Sequence, residues 1–173
     1  MQIEEFSPAD LTQEIDALAS LLHACVLAGA SISFILPFSL DEARAFWRDK
    51  VAPGLLAGTR HLLAARQAGR LVGAVQLGCD VPPNQRRRAD VSKLLVHPDA
   101  RRQGIARRLM IDLERVARRE GRQLLVLDTR EGDAAEPLYR SIGYHAAGVI
   151  PHFARAPEAD RLEDTVILYK ELQ

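Results

Sequence analysis

Behind Ser7-Pro8, a capping serine with proline at the first helical position, apolar residues recur at helical spacing through Leu11, Ile15, Leu18, Leu22, Cys25 and Val26. This predicts a first helix running to about Gly29. The run Ala30 to Phe38 is apolar without a clean period, and Ser39-Leu40-Asp41-Glu42 then opens a short second helix through Trp47. An apolar connection of that kind is either packed or a binding lid. His61–Arg66 and Leu71–Cys79 flank Gln67-Ala68-Gly69-Arg70 and read as a β-hairpin, and Asp90–Val96 reads as a third strand ended by His97-Pro98. From Gly104 to Glu120, apolar Ile105, Leu109, Leu113, Val116 and Ala117 line one face of a helix that Gly121 stops.

Leu124-Leu125-Val126-Leu127 is continuously apolar, as for a strand buried on both faces. Asp133 with Glu136 three residues on has the logic of a capping box for a short helix to Ser141, with Pro137 near its first turn. Tyr144–Ile150 and Thr165–Tyr169 complete the strands, with a Pro-, Asp- and Arg-rich loop from 151 to 164 between them. The order predicts an α/β fold, a mixed central β-sheet covered by helices. It is expected as a single domain over residues 1–173, without repeats.

The 47% hydrophobic and 27% charged composition is that of a globular chain with a real core. No run approaches the length that spans a bilayer, and the acidic start Met1-Gln2-Ile3-Glu4-Glu5 is unlike a signal peptide, so a cytoplasmic location with no membrane partner is expected. Cys25 and Cys79 read as isolated buried thiols, and no residue spacing suggests a metal site. The 23 basic and 23 acidic residues balance but are not evenly spread. From Arg86 to Arg122 twelve Lys or Arg face five acids, a net of +7, and the rest carries −7. Such a band either meets an anion or is a solvated helix face. Nucleic-acid binding through it is disfavoured, since the aromatics needed for stacking are missing.

The segment Val96-His97-Pro98-Asp99-Ala100-Arg101-Arg102-Gln103-Gly104-Ile105-Ala106 places a strand end, a basic turn and a glycine directly before a long helix. Unpaired N–H groups, the helix dipole and arginine charge together make a diphosphate cradle. Neither Gly-x-Gly-x-x-Gly nor Gly-x-x-x-x-Gly-Lys-Ser/Thr is present.

Arg101-x-x-Gly104-x-Ala106 after a strand ending Val-x-Pro resembles the acyl-coenzyme A signature of the GNAT superfamily of N-acetyltransferases. Leu138-Tyr139-Arg140-Ser141-Ile142-Gly143-Tyr144 is similar to that family's segment after the cofactor cleft. More narrowly, Gly29-Ala30-Ser31, Arg88-Ala89-Asp90-Val91, Leu127-Asp128-Thr129 and Tyr139 look similar to the tabtoxin resistance acetyltransferases of plant-pathogenic bacteria. One departure is Gly132, where many members carry an asparagine that contacts the pantetheine arm.

The resemblance implies acetyl-CoA held between the Asp90–Val96 and Leu124–Asp128 strands. Leu94, Leu95 and Val96 would line the thioester end, and Arg101, Arg102, Gln103, Gly104, Ile105, Ala106 and Arg107 the diphosphate end. It implies Tyr139 as general acid, or else a tyrosine packed on the sheet. Asp90 and Asp128 become candidates for the base, for an ammonium anchor or for strand-end residues bonded to backbone. Ser31, Ser33 and Phe34 would border the acceptor, unless they only pack. The expected reaction is acetyl transfer to a small-molecule amine, a toxin or antibiotic included. A non-catalytic acyl-CoA sensor and a transferase acting on a protein or peptide amine are the alternatives. The apolar Val166-Ile167-Leu168 run permits a homodimer through the last strands but also fits an interior strand.

Overall fold

A computed structural model of the chain covers residues 1–173. Its strands form one seven-stranded sheet in the order β1-β2-β3-β4-β5-β7-β6. They are β1 (Gln2–Phe6), β2 (Arg60–Gln67), β3 (Arg70–Gly78), β4 (Arg88–Val96), β5 (Leu124–Arg130), β6 (His145–Arg155) and β7 (Leu162–Glu171). All neighbours are antiparallel except β4 and β5, which run parallel. On one face lie α1 (Pro8–Gln13), α2 (Ile15–Leu27), α3 (Leu40–Phe46) and α4 (Ala52–Leu56). On the other lie α5 (Ile105–Arg119) and α6 (Ala135–Ser141).

β2 explains how one sheet serves two cores. Leu62 and Ala64 pack under α1–α4 while Leu63 and Ala65 point to the α5 side, so alternate residues feed opposite faces. Helix α5 lies close to the sheet because Gly73 has no side chain. A Cβ there would stand 3.0 Å from Ile105 Cγ2, Leu109 Cδ1 and the Leu95 carbonyl oxygen. The carbonyl belongs to the neighbouring strand and has little room to yield. Gly73→Ala is therefore expected to lower stability by about 1–3 kcal/mol in urea unfolding, an overpacking cost. A stability within about 0.5 kcal/mol of the parent in the same urea measurement would show that α5 is not held this tightly.

Several sequence expectations need correction. The N-terminal Gln2–Phe6 is a strand, whose Glu4 and Glu5 face Arg66, His61 and Arg119 as ion partners. The first helix is two: the chain breaks at Glu14 (φ −102°, ψ 13°), whose carboxylate reaches Arg66 at 2.8 Å. The second helix continues through a π-helical turn, Trp47–Val51, into α4. β5 is not buried on both faces: Leu125 and Leu127 are buried while Leu124 and Val126 are half-buried, because the α1–α4 core takes no residue from this strand. The expected 151–164 loop shrinks to residues 156–161. The hairpin of β6 and β7 absorbs the rest through register shifts, with His152 at φ +53° and Pro151 tolerated on an edge strand. Val166-Ile167-Leu168 is interior, since β7 lies between β5 and β6. The edge belongs to β6, which exposes Val149, Ile150 and Phe153.

Part of the basic band is tied down in place. Asp112 holds Arg108 and Arg115, Glu5 holds Arg119, and Arg122 donates to the carbonyls of Arg86 and Arg88. No helix is long and apolar enough to cross a membrane. Both cysteines are free and buried.

Candidate active site

The two central strands part company early. β4 pairs with β5 only through Arg88–Asp90 against Leu124–Val126, and from Val91 onward the sheet opens. On its other side β4 carries an extra residue: Ala74 opposes Leu95 but Gln76 opposes Ser92, leaving Lys93 and Leu94 across from Val75 alone. Lys93 takes the left-handed conformation at φ +53°, the signature of a bulge that re-aims side chains. Between the diverging strands lies a cleft of about 710 Å³, walled by residues 91–96, the C-terminal end of α2 with the loop to Ile32, and residues 128–139 in part.

The backbone of Val96 serves this cleft. His97 N–H donates to Val72 O at 2.9 Å, toward β3. Successive residues of a strand direct their N–H groups to opposite edges, so Val96 presents its N–H to the gap. Its carbonyl accepts from Cys25 Sγ and Arg101 Nε, each at 3.4 Å. Burial pushes the Cys25 thiol up, which leaves it an inert packing group.

At the mouth, the chain turns through Arg102 (φ +62°) and Gly104 (φ +78°) into α5. Gly104 is the N-cap and no side chain caps this helix, so its first N–H groups stay open to an anion. A Cβ on Gly104 would meet nothing within 4 Å, so the backbone conformation is what calls for glycine. Of the ten residues expected to hold acetyl-CoA, Leu94, Leu95, Val96, Arg101, Arg102 and Ala106 line the cleft. The other four lie elsewhere: Gln103 accepts from Gln67 Nε2 at 3.0 Å, Ile105 is buried against the sheet, and Arg107 donates to Ser141 Oγ at 2.8 Å on α6. Gly104 stands at the rim as the cap.

Tyr139, on α6, is 6% exposed and lines the cleft. Burial raises its phenol far above the ordinary value, with Asp133 and Asp128 adding to the effect, so it holds its proton throughout the neutral range. Tyr144 packs on it at 5.9 Å between ring centroids and lies outside the cleft. Asp128, on β5 past the opening, lines the cleft, and its carboxylate makes no hydrogen bond or ion pair. Asp90 sits in the still-paired stretch, bound by Arg88 and away from the lining. Ser31 lines the cleft, whereas Ser33 and Phe34 face an adjoining hollow of about 140 Å³. Phe34 packs on Phe38 and Phe46 at 4.6 and 5.2 Å. Gly132 lines the cleft, and its N–H donates to Glu136 at 3.2 Å. The expected capping box does not form: the N-cap is Ala134 with no side-chain cap, Asp133 accepts from Ala135 N–H and Glu136 reaches back only to Gly132, so the helix starts at Ala135.

Sequence reasoning missed Lys93. It lines the cleft, donates to Ser33 Oγ at 3.1 Å and stands 5.7 and 5.8 Å over the Phe34 and Phe46 rings. Burial pulls its ammonium pKa down, partly opposed by the charge of Asp128. The available signal was a lone lysine inside the apolar strand Val91–Val96. No group of three His, Cys, Asp or Glu side chains is placed to hold a metal ion.

These features define an acyl-transfer enzyme whose donor cleft splits a mixed sheet. Residues 37–154 match the acetyltransferase (GNAT) domain family, and the chain belongs to it. The acetyl donor of such enzymes is acetyl-CoA, and the open cap of α5, the arginines beside it and the Val96 N–H fit that molecule. The chain is 29% identical over 128 residues to an uncharacterized N-acetyltransferase of the hisH–hisA intergenic region of Azospirillum brasilense, covering 73% of this chain and 74% of that one. A UPF0039 protein of Schizosaccharomyces pombe is 31% identical over 86 residues, 49% of this chain and 53% of that protein. Among solved structures, the ribosomal-protein-alanine N-acetyltransferase of Brucella melitensis superimposes with a TM-score of 0.79 at 23% identity, covering 99% and 100% of the two chains. The structure of yncA of Salmonella typhimurium with its cofactor acetyl-CoA gives 0.80 at 22% identity, covering 100% and 94%.

Proposed function

We propose that the chain is a cytoplasmic acetyl-CoA-dependent N-acetyltransferase acting on a small-molecule amine, with Asp128 as base and Tyr139 as acid. The observation that carries this reading is an unpaired carboxylate and a protonated phenol lining one cleft beside the Val96 N–H. When bound, acetyl-CoA supplies an activated acetyl thioester. Asp128 takes a proton from the acceptor ammonium, which frees the lone pair for attack. Val96 N–H points where negative charge develops on the acetyl oxygen, a preorganised donor worth a few kcal/mol in comparable sites. As the N–C bond forms and the C–S bond breaks, Tyr139 gives its proton to the departing sulfur, whose thiol pKa is about 8.5, and the second proton shed by the nitrogen as the amide forms restores the phenol. Arg101, Arg102 and the open cap of α5 hold the diphosphate. Asp90, engaged by Arg88, supports the closed end of the β4–β5 pair.

Toxin or antibiotic resistance is supported by the four short segments that resemble the tabtoxin resistance enzymes. The exposed apolar edge of β6 supports a homodimer in which the whole chain is one transferase unit. Asp128→Asn tests the central assignment. In a coenzyme A release assay it is expected to lower kcat/KM by about 10²-fold, within the range for a general base, while the acetyl-CoA Kd stays within about threefold. Unchanged turnover would remove Asp128 from the chemistry.

A further inference from the structure

Lys93 and Asp128 occupy opposite banks of the opening, one on the bulge of β4 and one on β5, and both line the cleft. Neither makes an ion pair, although the charge of Asp128 is felt at Lys93 across the opening. Other charges nearby are paired, Arg130 with Asp133 and Glu163 and Arg88 with Asp90, while Arg101 and Arg102 are open at the donor end. A poorly solvated ammonium without a carboxylate is costly, and the Phe34 and Phe46 rings with one serine hydroxyl offset only part of that cost. Lys93 is not placed to serve the donor's diphosphate, because it lies three residues, about 10 Å along the strand, before Val96 and the cradle lies beyond. Arg60, on β2 and outside the cleft lining, lies near enough to Lys93 to act on its charge, its Nη1 2.6 Å from Gln76 Oε1. The cleft thus offers one ammonium, Lys93, across from one carboxylate, Asp128, that makes no ion pair.

We propose that the acceptor is a zwitterion of the amino-acid class, its carboxylate received by Lys93 and the amine to be acetylated held at Asp128. This rests on the transferase reading above and narrows it. The bulge makes the arrangement: an unbulged β4 would keep alternation, and residue 93 would not be turned toward the Ser33–Phe34 loop. A peptide N-terminus lacks the adjacent carboxylate and is discriminated against by the same device.

The test measures kcat/KM with the full chain, acetyl-CoA and matched acceptors: the common L-amino acids, their descarboxylated amines, their methyl esters, and dipeptides. The best amino acid is expected to exceed its descarboxylated and esterified partners and its dipeptides by tenfold or more. In Lys93→Met that ratio should collapse below threefold, chiefly through KM, and Lys93→Arg should recover part of it. Equal use of the matched acceptors by the parent chain overturns the proposal, as does a Lys93→Met variant that lowers both members of each pair alike. The parent comparison stands even if Lys93→Met fails to fold. No turnover of any amino acid by a chain whose unfolding temperature acetyl-CoA still raises overturns this proposal and leaves the transferase reading in place. Absence of any acetyl-CoA effect overturns that reading itself.

Discussion

Tyr139→Phe is expected to lower kcat by about 10²- to 10³-fold, the range in which a positioned proton donor acts. The fold should survive, because the ring keeps its place against Tyr144 and only one oxygen is removed. Burial and two nearby carboxylates hold the phenol protonated, so no pH near neutrality imitates the substitution by ionising it. The acetyl-CoA Kd should move little. A drop in kcat with unchanged Kd assigns Tyr139 to departure of the sulfur, whereas a kcat within threefold of the parent reduces it to a packing residue. The comparison is sharpest with a poor acceptor, for which chemistry rather than product release limits the rate.

The second large effect is at the cradle. Gly104 holds φ +78° with open space around its missing Cβ, so its replacement separates conformation from crowding. Gly104→Val forces a β-branched residue into the left-handed region at a cost of about 1–2 kcal/mol, or turns the peptide and re-aims the first N–H groups of α5. Gly104→Asn accepts that conformation and should stay close to the parent. At a concentration one hundred times its Kd, acetyl-CoA should stabilise the parent by about 2.7 kcal/mol. If valine weakens binding about 30-fold, the same concentration leaves about 0.9 kcal/mol. A valine variant with the full ligand-induced shift would mean that the diphosphate is held by Arg101 and Arg102 alone.

What could be read from the chain was what local chemistry determines. The β2–β3 hairpin follows from two apolar runs around Ala68-Gly69, and α5 from one apolar stripe and its flanking glycines. The cradle was legible because its parts are contiguous. β1 was not, since five residues with two glutamates look unlike a strand until Arg66, His61 and Arg119 supply partners from elsewhere. The same limit separates the two aspartates. Asp90 and Asp128 each sit on a strand flanking the cleft, and only the point at which β4 and β5 diverge puts Asp128 in the opening and Asp90 behind it. Lys93 was hidden for a related reason: periodicity assumes an unbroken pleat, and a bulge changes which way every later side chain looks.

The parallel ladder between β4 and β5 is three residue pairs long, and it is the only strand pairing that joins the first four strands to the last three. The sheet is in effect two half-sheets stitched at one end, with a raw selvedge along each side of the seam. A molecule that bonds to both sides completes the seam, so occupancy of the cleft contributes cohesion as well as chemistry. Selection for tight cofactor binding therefore also selects for a stable whole, and a chain that lost its donor would lose part of what keeps its halves together.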